Sequence, residues 1–357
     1  MSFDLEFLRE LSETPGVSAY ERHVQKAVGR RVAEYGAIEY DALGNLAVTV
    51  NEHGSPHVLV TAHVDQIGLV VTHVLDDGFL QFEKVGILDP VLLPGHRVTV
   101  HAVGGQVTGV VCRPPTHLLT EAQRGTAPDI RQQRIDIGAK SREEALGRVA
   151  IGDPATFWSE FISMGDDLVA GPALDNRAGV YAAVRALELY AAAPGPARFT
   201  VATTVREETT FLGAKALAGR PLPDFLVVID GDFACDYPGV EPDQVRGRFT
   251  LGSGPVINRG AGGSEAMFDL ARQTAESCQM EYQVKADPYN TNTDADESLA
   301  LPRLGALSLG YAIRYAHSPY EVVSAADLES LAHLVSQLVG RIGEEPQAAA
   351  GTDFFAQ

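Results

Sequence analysis

The sequence is poor in cysteine, in basic residues and in long apolar runs, and each shortage closes off a class of explanation. Three cysteines stand in 357 residues (Cys112, Cys235, Cys278), odd in number and without C-x-x-C spacing. They make no disulfide framework, so a reducing, cytoplasmic setting is expected. Basic residues number 28 against 47 acidic ones, a formal net charge of −19. Such a surface repels phosphate backbones and anionic lipid, which argues against nucleic-acid and membrane partners. It suits metal ions, cationic ligands and peptide amino termini. No stretch approaches the roughly 18–20 uninterrupted apolar residues of a membrane span. The opening MSFDLEFLRELSETPG reads as an acidic amphipathic helix and not as a signal peptide. Internal repeats are absent, and only the tail EEPQAAAGTDFFAQ reads as loosely ordered.

What is present is an ordinary globular composition, 45% hydrophobic and 21% charged, long enough for two domains or for one interrupted by an insertion. Apolar stripes at Phe3, Phe7, Leu8, Leu11 and at Val24, Ala27, Val28, Val32 predict two helices, the second ending at Gly36. NLAVTV (45–50) and HVLVTAHV (57–64) read as strands. Between about 67 and 161 the texture changes: FLQFEKV (79–85), a period-two hairpin around Gly104-Gly105 (96–112), and VAIGDPATF (149–157) predict a small β-rich unit. From about 165, strand and helix alternate again. Helices are predicted over 177–193, 264–277 and 325–342, strands over 199–205, 224–230, 280–286 and 305–313. The fold class is therefore α/β, a sheet covered by helices on both faces and interrupted by a β-rich insertion.

Polar exceptions sit at the ends of the apolar runs. His63 and Asp65 close the 57–64 strand, two apart and on one side. Asp175 stands just before a helix. Glu207 and Glu208 end the run FTVATTV, where neighbouring strand residues face opposite ways. Asp230 ends FLVVID, and His317 follows the last apolar strand. Taken singly, each has a bland reading: Asp175 as a helix cap, a lone histidine as a satisfied polar residue, paired glutamates as solvated, and the other eight histidines as surface or fold residues. Taken together they are harder to dismiss, because open α/β sheets collect ligands at the carboxyl ends of their strands. Clustered carboxylates there are costly unless cations lie between them. A His/carboxylate set suits Zn²⁺, Co²⁺ or Mn²⁺ better than Ca²⁺ or Mg²⁺.

The segments ELSETPGVSAYE, TAHVDQIGLVV, IDIGAKSREEA with IGDPATF, GPALDNRAG, EE…LGA, VVIDGDFACDYPG, LGSGPVI and IRYAHSPYEVV, in this order, resemble the tetrahedral (TET) aminopeptidases, peptidase family M42. The resemblance runs from about residue 5 to 342. It implies a zinc-peptidase-like catalytic domain with a mixed sheet (1–66 and 162–357), interrupted by a PDZ-like dimerisation domain (67–161). It also implies two divalent ions, zinc first and cobalt or manganese next. On this resemblance His63 and Asp230 hold one metal, Glu208 and His317 the other, and Asp175 bridges both. Asp65 orients the ligating imidazole, and Glu207 is the general base. Substrates would be short peptides with free amino termini, and dimers would build a dodecamer. The chain departs from the family pattern at Gln66, Thr210, Leu212 and Ser253, where substrate pockets and loops are set. A related deacylase acting on N-acyl amino acids and a catalytically weak assembly protein are the competing readings. The first would carry a different insertion later in the chain, and the second needs no base such as Glu207.

Overall fold

The apolar runs become strands whose burial pattern tells which are central. In the computed structural model, which describes residues 3–351, the first three strands are β1 (Ile38–Tyr40), β2 (Leu46–Val50) and β3 (His57–His63). Then come β4 (Gly68–Val74), β5 (Leu80–Val85), β6 (Arg97–Ala102), β7 (Gly105–Cys112), β8 (Arg134–Asp136) and β9 (Pro154–Phe157). The rest are β10 (Ile162–Met164), β11 (Leu168–Gly171), β12 (Arg198–Thr204), β13 (Phe225–Phe233), β14 (Val256–Gly260), β15 (Gln283–Asp287), β16 (Gly305–Ile313) and β17 (Glu321–Ser324).

Eight strands form one mixed sheet in the order β1-β2-β12-β3-β13-β16-β14-β15. The central strands β12, β3, β13 and β16 run parallel, whereas β2 and β14 join antiparallel at the flanks. Parallel strands are covered on both faces, and the side chains divide accordingly. Val58, Val60, Phe225, Val227 and Ile229 join the main core with helices such as Leu174–Ala192 and Ala325–Glu344. Leu59, Leu226 and Val228 face the other way, against Leu217 and Ala295 from short helical segments. Helices therefore cover both faces, but unequally. Capping follows the sequence: Asp4 accepts from the Phe7 amide (3.0 Å) at the first helix, and Ser324 from that of Asp327 (3.1 Å) at the last.

The β-rich stretch is a closed six-stranded barrel, β4-β5-β8-β7-β6-β9, with its own core of residues such as Leu69, Phe82, Val98 and Ile135. The β6–β7 hairpin turns at Val103-Gly104 as its glycines predict. Of the stretch 149–157, only 154–157 is strand. The 280–286 expectation shifts to Gln283–Asp287, and β13 runs three residues past Asp230. The tail is also better ordered than its composition suggests: Pro346–Ala350 is a helix with Ala349 fully buried, while 352–357 lie outside the described residues.

The helix read as starting at 177 begins at Leu174, with Asp175 and Asn176 in non-helical conformations. Asn176 is fully buried: its side-chain amide donates to the Ile229 carbonyl (2.8 Å) and its oxygen accepts from the Tyr311 hydroxyl (2.9 Å). A Cβ on Gly179 would lie 1.9 Å from that Asn176 oxygen. Gly179→Ala is therefore expected to destabilise the protein by about 1–3 kcal/mol, the usual cost of overpacking. Denaturant unfolding measures it, and an unchanged midpoint would mean that Asn176 is free to move.

Candidate metal centre

The carboxyl ends of β3, β12 and β13, with the loops before the Leu174–Ala192 helix and after β16, bring the predicted residues to one place. His63 ends β3 and Asp230 lies in β13. His63 Nε2 is 3.7 Å from Asp230 Oδ1, 3.8 Å from Glu207 Oε2 and 3.4 Å from Asp175 Oδ1. His317 Nε2 is 3.6 Å from Asp175 Oδ2 and 3.4 Å from Glu208 Oε2. Two groups result, His63–Glu207–Asp230 and Asp175–Glu208–His317. Asp175 turns one oxygen to each imidazole and so joins them.

Glu207 and Glu208 do not end a strand. Strand β12 stops at Thr204, Arg206 takes a left-handed conformation (φ 60°), and Glu207–Thr210 form a helical turn. The two side chains diverge because consecutive residues of a helix are about 100° apart around its axis, not because a strand alternates. Asp65, fully buried, lies behind this turn. Its Oδ1 accepts from the Glu207 amide (2.9 Å) and its Oδ2 from the Glu208 amide (3.1 Å), and Oδ1 is 3.4 Å from His63 Nδ1.

The electrostatics follow from burial and crowding. Burial pushes Glu207 far above the ordinary carboxylate range, with Asp230, Asp294 and Glu208 adding and His63 opposing. Glu208 and Asp230 are likewise raised by burial. Burial alone would neutralise His63, but the charges of Glu207 and Asp230 and bonds to Asp175 and Asp230 outweigh it and raise its pKa well above normal. His317 shows the same balance, burial opposed by Glu208 and Asp175, and is raised to about 10. Asp175 is held low: burial opposes ionisation, but the His63 bond and both imidazole charges prevail, and Asp65 is lowered too, its burial outweighed by His63 and the amides of Glu207 and Glu208. The donor set fits a divalent cation in each group. Imidazole nitrogens and carboxylate oxygens 3.4–3.8 Å apart are near the ~3.3 Å edge of a tetrahedron whose bonds are about 2.0–2.1 Å.

Three residues important to this arrangement escape sequence reasoning. Glu21 accepts from the Arg206 amide (3.1 Å), Glu321 from the amides of Asp175 and His317 (2.8 Å each). Asp294 is buried beside Thr204 and raised to about 7 by burial. The only signal is a carboxylate inside an apolar context, as in YEVVS (320–324). One departure from the family pattern is also placed. Gln66 lines a small cavity with Asp175, Ser318 and Glu321, and its oxygen also ties the backbone behind it, accepting from the Gly16 amide (3.1 Å) and from the fully buried Arg177 (3.4 Å).

A helix-covered mixed sheet with imidazoles and carboxylates pooled at its carboxyl edge defines a metallohydrolase. The sequence profile of the M42 glutamyl aminopeptidase family matches residues 44–334. The chain belongs to this family and is a peptidase. It is 30% identical to a lysyl aminopeptidase of Pyrococcus furiosus over 347 residues, covering 94% of this chain and 96% of that protein. A TET aminopeptidase structure from a marine sediment Thaumarchaeota archaeon superposes with a TM-score of 0.89 at 27% identity, covering 97% and 98% of the two chains. A Pyrococcus horikoshii TET1 peptidase, described as assembling into a tetrahedron or a large octahedral shell, gives 0.84 at 32% identity over 94% and 98%. No helix among the described residues is long and apolar enough to cross a membrane.

Proposed function

We propose that the protein is a dinuclear metal-dependent aminopeptidase that releases amino-terminal residues from short peptides. The observation that carries this reading is Asp175, whose two oxygens face different imidazoles, His63 and His317, 3.4 and 3.6 Å away. His63 and Asp230 would hold one cation, Glu208 and His317 the other, and Asp175 would bridge them. Zinc suits this nitrogen–oxygen donor set, with cobalt or manganese as substitutes. When bound, the two ions acidify a water and polarise the scissile carbonyl. Glu207, nearly buried beside His63, takes the proton of that water and returns it to the leaving amine. Asp65 holds the His63 ring and the Glu207–Glu208 turn in place. The Glu208–His317 side is the more open one, so the peptide enters there and its free amino group meets carboxylate.

The barrel, within an inserted domain at 67–161, serves self-association into dimers and then a dodecamer. Its exposed Ile87, Val103 and Leu118, at 75%, 104% and 76% exposure, are the kind of surface that a partner would cover. The three free cysteines suit the cytoplasm.

The test is a panel of short peptides with free and N-acetylated termini, given to metal-stripped protein refilled with Zn²⁺, Co²⁺ or Mn²⁺. Stepwise release from free termini only, restored by metal, is the expected result. Turnover confined to N-acyl amino acids would make the protein a deacylase. Two bound ions without any turnover would make it an assembly protein.

A further inference from the structure

The two halves of the centre are held from behind in the same way, and only one of the two holding residues belongs to the mechanism above. Asp65 accepts the amides of Glu207 and Glu208, the two residues that follow the left-handed Arg206. Glu321 makes the matching pair of bonds on the other side. Its Oε1 accepts the amide of His317 and its Oε2 the amide of Asp175, both at 2.8 Å. His317 is itself left-handed (φ 61°), a conformation that side-chain-bearing residues rarely adopt. Glu321 is only 2% exposed, so little water competes for these oxygens. Each oxygen accepts one backbone amide, and Glu321 belongs to neither of the two ligand groups.

Its place in the fold explains the reach. Strand β17 pairs antiparallel with β11, and Glu321 lies opposite Gly171. Strand β11 leads into the Asp175 loop, and β17 follows directly on the His317 loop. The pair thus brings together two loops that are 142 positions apart between His317 and Asp175 (317 − 175), and one carboxylate ties them.

We propose that Glu321 is a positioning residue that sets the occupancy of the Asp175–Glu208–His317 half of the centre by holding Asp175 and His317, as Asp65 holds the His63 ring and the Glu207–Glu208 turn. This rests on the dinuclear reading. Replacing Glu321 by Gln keeps the shape but turns one acceptor into a donor, which then confronts the amide of either Asp175 or His317. Glu321→Asp keeps both acceptors on a side chain one methylene shorter.

The experiment is equilibrium dialysis of the metal-stripped full chain against graded Zn²⁺, with bound zinc counted by elemental analysis. Wild type, Glu321→Gln and Glu321→Asp are compared, with thermal unfolding recorded at saturating Zn²⁺. Wild type is expected to take two ions. Glu321→Gln is expected to keep one at wild-type affinity and to bind the other about 10–100-fold more weakly, with kcat falling more than KM rises and Glu321→Asp lying between. Two ions bound to Glu321→Gln at wild-type affinity with unchanged kcat would overturn the proposal. Equal loss of both ions, or unfolding at saturating Zn²⁺, would make Glu321 a general fold residue and overturn it too. Fewer than two ions on wild type would sink the dinuclear reading itself, and this role with it.

Discussion

Glu207→Gln is expected to lower kcat by about 10²–10⁴-fold, the usual weight of a general base, while both metal ions stay bound. The distinction matters because Glu207 Oε2 lies 3.8 Å from His63 Nε2 and groups with His63 and Asp230. Distance alone would allow it to be a ligand of that half. An amide has the shape of the carboxylate and an oxygen that accepts, but it takes up no proton. A base is therefore destroyed by this change without disturbing the metal, whereas a ligand would lose the ion with the activity. Kinetics and bound-metal counts on one preparation separate the two. The metal-free protein adds a second sign. The Glu207 pKa is raised in the fold, first by burial, so folding opposes its ionisation. Ionising Glu207 therefore costs more in the fold than in the unfolded chain, and stability falls as pH rises above about 4.5. Gln removes that penalty. In the presence of a chelator Glu207→Gln should melt higher than wild type at pH 7, an inactive protein that is the more stable one. A lower melting temperature would mean that Glu207 is stabilising in the metal-free protein.

The residues of the centre were legible because most of them follow strongly apolar runs. His63 and Asp230 follow runs so uniformly buried that a charge there has to have company. Glu207 and Glu208 do not diverge by strand alternation. Their divergence comes from a helical turn begun by the left-handed Arg206, and nothing in VREETT distinguishes that turn from a continuing strand. The roles of Glu21 and Glu321 were not legible. Besides near partners, each accepts a backbone amide from a distant segment, 185 and 146 positions away, and a local pattern carries no trace of a bond to another segment's backbone. The barrel shows the same limit. Its β6–β7 hairpin is a local event announced by Gly104-Gly105, while its closure depends on β4 meeting β9 through Leu69 and Ala155, far apart in the chain. Strands of three or four residues such as β8 and β9 are too short to show a period. The tail's order is hidden for a related reason: Ala349 is buried by tertiary contacts that its composition does not announce.

Asp175→Asn is expected to remove at least half of the metal-dependent stability and to leave at most one ion per chain. Its two oxygens lie 3.4 Å from His63 Nε2 and 3.6 Å from His317 Nε2, so each half of the centre depends on one of them. Asparagine keeps one oxygen and presents an amide group to the other side, where it can only donate. A ligand bound at about a thousand times its dissociation constant stabilises the folded state by about 4 kcal/mol for each site. Wild type refilled with zinc should therefore unfold well above the chelated protein, and Asp175→Asn should recover no more than one site's worth. The metal-free forms again give a sign, opposite to that of Glu207. The Asp175 pKa is depressed, because the His63 bond and the two imidazole charges outweigh burial. Such a group contributes stability above its unfolded pKa near 3.8 and loses it only as pH falls through the lower folded value. At pH 7 its charge is holding the two imidazoles, so Asp175→Asn should melt below wild type even in chelator. One carboxylate of the cluster would then be stabilising and its neighbour destabilising in the same metal-free protein. That split is what a bridge between two positively charged imidazoles requires, and it disappears if Asp175 is merely the cap of the helix that follows it. In that case Asn, itself a good cap, would leave both the metal-free stability and the bound metal unchanged.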